Sequence, residues 1–176
     1  MLITKTLHDV LADDLQDLYS AEQHEIQALE KMVVAVSNSF VKKIFGKQLE
    51  QAKSHVTRIA EAAKSVRIQP EGKQCSGMMG IVLDMDRLIR SEAGCIRDIQ
   101  LICTAQKMTN YELVAYSSAC AVAELLKMEK VGKLLQANLA EKKEAKAELA
   151  SLGDSGSTSI QFSPANGDVL KTRKVV

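Results

Sequence analysis

Apolar residues recur every three or four positions over most of the chain. From the N-terminus to Val36 they fall at Leu7, Leu11, Leu15, Leu18, Ile26, Leu29, Val33 and Val36. That spacing is one face of a long amphipathic helix. Ser37-Asn38-Ser39 then supplies a break with N-cap residues. A second stripe runs through Phe45, Leu49, Ala52, Val56, Ile59, Ala63 and Val66 and stops before Pro70. Pro70, Gly72, Gly77 and Gly80 mark 69–80 as a loop. A shorter helix is predicted over 81–91, with a break near Gly94, and two long helices over about 95–126 and 129–152.

The order is two long helices with a short turn, a long crossover holding a short helix, then two more long helices with a short turn. A four-helix bundle with one long crossover has this order, and ferritin-like bundles are built that way. The expected fold class is therefore all-α, a ferritin-like four-helix bundle spanning 1–152. From Gly153 the chain turns to Gly, Ser, Pro164 and Asn166, which reads as a flexible tail over 153–176. Within it, 159–163 and 169–176 have strand-forming composition.

Composition supports helices before strands. Hydrophobic residues are 46% and aromatic residues only 3%, with no Trp, so the core rests on Leu, Ile, Val, Ala and seven Met. Net charge is +1 with both signs interleaved, and the tail's three basic and two acidic residues account for the excess. Nothing there drives nucleic-acid binding. The longest apolar run, 32–36, is far below the roughly 20 residues of a membrane span. No signal segment opens the chain, so the cytoplasm is the expected location. The four cysteines show no metal-binding spacing, and Cys103 and Cys120 read as small buried hydrophobes.

The chemistry lies in polar residues on the apolar stripes. Glu22 continues the row Leu11, Leu15, Leu18, and Glu112 continues Ile102, Ala105, Met108. Gln51 and His55 flank the second stripe one turn apart. Lys142 falls on the row Val131, Leu135, Asn138, Ala145, Leu149. A buried carboxylate needs a metal, a cation or a proton to neutralise it. The two halves echo each other, with 29 positions from Glu22 to Gln51 and 30 from Glu112 to Lys142. Di-iron carboxylate bundles have that pseudo-symmetry. Tyr19, Tyr111 and Tyr116 lie near the two glutamates and read as packing residues that bond neighbouring carboxylates.

The strings Asp-Leu-Tyr-Ser-Ala-Glu at 17–22 and Ala-Gln-Lys-Met-Thr-Asn-Tyr-Glu at 105–112, with 48–59, 72–80 and 134–149, resemble the YciE/YciF stress-protein family of bacteria. The likeness covers about 4–152. It implies a ferritin-like bundle, a homodimer, a dinuclear metal centre, and a poorly defined activity linked to stress responses. It places the metal ligands at Glu22, Gln51, His55, Glu112 and Glu141. Two positions depart from the family pattern: Gln51 and Lys142 stand where the family usually has Glu.

These departures matter, because an amide is a weak ligand for a hard cation and an ammonium is none. The sequence leaves two alternatives. In one, Glu22 and Glu112 hold iron or manganese in a full or partial site, and the protein is an oxidase or consumes peroxide. In the other, the centre is degenerate or lost, and Lys142 neutralises the glutamates through an internal salt bridge. No catalytic residue can be named.

Overall fold

A computed structural model describes residues 6–153. The expected tail and its strand-like segments lie outside the described residues, apart from Gly153, which ends the last helix. The five helices are α1 (Leu7–Ala35), α2 (Ser39–Ser65), α3 (Ser76–Leu88), α4 (Cys95–Leu125) and α5 (Glu129–Gly153). The all-α, ferritin-like expectation holds, and α3 is the crossover helix.

Local chemistry sets the ends. Thr6 and Asp9 form a reciprocal capping box at the start of α1. Asn38 caps α2 by accepting from the backbone N–H groups of Phe40 and Val41. The turn between these helices is tied to α4, because buried Asp98 accepts from the amides of Ser37 and Asn38, each at 2.9 Å. Both α2 and α4 end on a non-glycine residue in the left-handed region, Arg67 (φ 60°) and Lys127 (φ 56°). Each is held by a bond from the next amide to a carbonyl five residues back, Ile68 to Ala63 and Met128 to Ala123.

The helix α3 begins about five residues before the predicted 81, so Gly77 and Gly80 are helical and not loop. The glycine at 77 is required by packing: a Cβ there would sit 2.7 Å from Cε2 of Tyr111. Tyr111 in turn bonds buried Cys75 (2.9 Å) and Asp17 (3.0 Å) across the crossover. The cysteine expectation is corrected here. Cys103 is exposed and Cys120 half-buried, because α4 turns Ile102 and Ala105 inward and so points Cys103 outward; the buried thiol is Cys75.

The bundle core has two apolar parts. One holds Leu11, Leu15, Leu18, Ile59, Ala119, Val131 and Leu135. The other holds Leu29, Met32, Phe45, Leu101 and Met108 and is closed by Met78, Val82 and Met85 of α3. Along α1 the buried positions include 11, 15, 18, 22, 25, 29 and 32, and Val36 just beyond its end continues the row. Along α2 they include 41, 45, 48, 52, 55, 59 and 62, and along α5 131, 135, 138, 142, 145 and 149. This alternation of fours and threes is the seam of a left-handed bundle. Its polar members set the next layer.

Candidate metal centre

Between the two apolar parts, the four long helices bring together Glu22 and Glu25 of α1, His55 of α2, Glu112 of α4, and Asn138 and Lys142 of α5. All are buried, with Glu22 and Glu112 at 0% exposure and Lys142 at 3%. Lys142 is central. Its Nζ lies 3.4 Å from Glu22 Oε2 and forms closer ion pairs with Glu25 Oε2 and Glu112 Oε2. One oxygen from each glutamate lies within 4.8 Å of the others.

Hydrogen bonds fix the surround. Tyr116, fully buried, donates to Glu22 Oε1 at 2.7 Å and accepts from Asn138 Nδ2 at 3.0 Å. The His55 ring meets Tyr116 edge-on at 6.2 Å. Its Nδ1 lies 3.0 Å from Glu22 Oε1 and its Nε2 2.9 Å from Glu141 Oε2. Glu141 sits at the rim, where Arg58 donates to its Oε1 and to Asn138 Oδ1, both at 2.8 Å.

Protonation follows from burial. Loss of water pushes the Glu22 carboxyl up to about 8, against the lowering pull of Lys142. Burial, together with the charges of Glu22 and Glu25, holds Glu112 well above the carboxylate range. Burial and Lys142 push His55 down to about 4. At rim Glu141, burial works upward but the bonds from Arg58 and His55 prevail and hold it low. Burial alone would lower Lys142, yet the charges of Glu112, Glu22 and Glu25 hold its ammonium above the usual lysine range. These directions agree with one bonding pattern. The Glu22 carboxyl donates to neutral His55 Nδ1, and Nε2–H donates to ionised Glu141. With three carboxyls facing one ammonium, the layer is electroneutral when two of the three hold protons.

The structure gathers Glu22, Glu112 and His55 as the sequence suggests, and sets Glu141 at the rim on His55. Gln51 lies beside the seam, half-buried; the α2 seam positions here are Gln48 and His55. Glu25 was missed, although its spacing from Glu22 and Leu29 was the available signal. All three tyrosines bond carboxylates, Tyr19 through Glu71 at 3.3 Å.

Carboxylates are donors of the class that iron(II) and manganese(II) accept. A dinuclear centre does not fit these residues, however. Lys142 Nζ stands among the glutamate oxygens, Gln51 is off the seam, and His55 is engaged by Glu22 and Glu141.

Residues 6–159 match the family model described as a domain of unknown function, DUF892. The chain belongs to this family. It is 33% identical over 150 residues to protein YciF of Escherichia coli K12, covering 84% of this chain and 90% of YciF. The crystal structure of that E. coli protein, described as a stress protein, superposes with a TM-score of 0.80 over 85% of this chain and 95% of that one. A putative structural protein of Rhodopseudomonas palustris, YcfI, is 27% identical with a TM-score of 0.79, covering 83% and 94% of the two chains. A ferritin-like diiron-carboxylate protein of Bacillus anthracis shares the fold at 16% identity, with a TM-score of 0.66 over 85% of this chain and 99% of that one. The resemblance to the YciE/YciF family is thereby shown. Among the described residues no helix is long and apolar enough to cross a membrane.

Proposed function

We propose that this member of the YciF family is a bacterial stress-response protein, a cytoplasmic homodimer, whose dinuclear metal centre has been lost. It keeps the ferritin-like bundle and the buried glutamates and neutralises them from within. The observation that carries this reading is the Lys142 ammonium in ion contact with Glu22, Glu25 and Glu112. An ammonium supplies the positive charge a carboxylate cluster requires and offers no lone pair to a metal.

The competing reading is an oxidase or peroxide-consuming enzyme that holds iron or manganese on Glu22 and Glu112. The three glutamate oxygens within 4.8 Å favour it. It requires Lys142 to withdraw from the layer. Elemental analysis decides between the two, on protein made with added iron and manganese and purified without a histidine tag. The proposal expects no bound metal, and two equivalents per chain overturn it.

A further inference from the structure

On the seam, Glu22 and Asn138 have partners that keep them in place without Lys142, while Glu25 and Glu112 find their countercharge in Lys142. Tyr116 and His55 hold Glu22, and Arg58 and Tyr116 hold Asn138. The ammonium contacts one oxygen from each of three glutamates carried on two helices. Those oxygens lie within 4.8 Å of one another. One cation position, that of Lys142 Nζ, therefore reaches an oxygen of all three glutamates. A second observation points the same way: Glu112 Oε1, fully buried in this cluster, has no hydrogen-bond partner. One acceptor is thus unspent beside the ammonium.

We infer that Lys142 Nζ occupies the position of a single divalent cation, that Glu22, Glu25 and Glu112 form a latent mononuclear site for manganese(II) or iron(II), and that this one side chain keeps the ion out. This rests on the reading of a lost centre and goes beyond it. It assigns the loss to one residue, replaces Gln51 by Glu25 in the donor set, and sets the capacity at one ion. Gln51 does not decide the matter, because it stands beside the seam.

The test is manganese binding by full-length wild type, Lys142→Glu and Lys142→Ser, read as metal per chain after dialysis and as melting temperature with and without 1 mM MnCl₂. Wild type is expected to hold none and to melt at one temperature in both buffers. Lys142→Glu is expected to hold about one equivalent and to melt several degrees higher with manganese, and Lys142→Ser to respond in the same direction more weakly. Glu112→Gln added to Lys142→Glu should abolish the gain. Where a variant is unfolded without metal, recovery of helical circular dichroism on adding manganese is the expected result, and failure to recover counts against the inference. If both variants fold and neither responds to manganese, the inference is overturned while the lost-centre reading stands. Metal in wild type overturns that reading itself.

Discussion

The apolar ends of the bundle and the polar layer between them use the same seam geometry and hold together by different physics. At the ends, Leu15, Leu18, Ile59 and Leu135, or Met32, Phe45 and Met108, need only volume and shape. Dispersion and loss of water stabilise them without direction. In the middle, Glu22, Glu25, Glu112 and Lys142 lie equally buried, and each gains only through a particular neighbour. A buried ion cluster adds little net stability, yet losing one member leaves uncompensated charge. The layer also sets register: in this pairing of α1, α4 and α5, one ammonium reaches three carboxyls.

The largest effect should come from the layer. Lys142→Met keeps much of the volume and removes the charge, and should cost about 3–5 kcal/mol of unfolding free energy, measured by urea denaturation at pH 7 without metal. Adding Glu25→Gln should restore part of the loss, because fewer carboxyls then need a countercharge. A cost below 1 kcal/mol for the single change would mean that protons alone neutralise the glutamates. In the apolar end, Leu15→Ala should cost about 3 kcal/mol through lost burial and a cavity, while Leu15→Met costs less than about 1.5 kcal/mol. The ends would thus tolerate a change that keeps volume where the layer does not.

The legibility of the sequence divides along the same line. Four long helices, two short turns and a crossover follow from period and punctuation alone, and nearly all long-helix boundaries fall within one to four residues of expectation. The start of α3 was hidden because Gly77 reads as a loop signal, when its purpose is the approach of Tyr111. The layer was half legible. Following apolar residues led to Ile26, Leu49 and Val56, which are half-buried, and away from Glu25 and Gln48, which occupy the seam; His55 was placed on the flank of the stripe and lies on the seam itself. Where polar residues belong to the core, the spacing of fours and threes is a better guide than hydrophobicity. That Lys142 meets three glutamates at once depends on the pairing of helices far apart in sequence, and no local pattern carries it.

The pH dependence of stability offers a smaller test of the layer. Glu22 is pushed up to about 8 from an ordinary 4.5. Between those values the folded chain keeps a proton the unfolded chain has released, so this group makes stability fall as pH rises. His55 is pushed down to about 4 from 6.5. Between those values the unfolded chain binds a proton the folded chain refuses, so stability rises with pH. The two slopes oppose each other from 4.5 to 6.5 and leave a net fall from 6.5 to 8, about 2 kcal/mol at 1.36 kcal/mol per proton and pH unit. Raised Glu112 acts in the same direction as Glu22. Urea midpoints across this range should show the fall in wild type and a flatter profile in Glu22→Gln. A wild-type profile level from 6.5 to 8 would mean that Glu22 is ionised when folded.

The smallest expected effect asks whether ends and layer are independent. Lys127 closes α4 with φ 56° and is exposed. A side chain in that region costs about 1 kcal/mol, and glycine returns part of this through its greater freedom when unfolded. Lys127→Gly should therefore stabilise by about 0.5 kcal/mol, a rise of roughly 1–2 °C in melting temperature for a chain of this size. Lys127 precedes Lys142 by 15 positions, about 20 Å along α5. At that distance the two changes share no partner, so the gain should persist undiminished in Lys142→Met. If instead it vanishes there, losing the ammonium has loosened α5 as far as its first turn. The polar layer would then hold the whole helix in place, and the ends would not stand by packing alone.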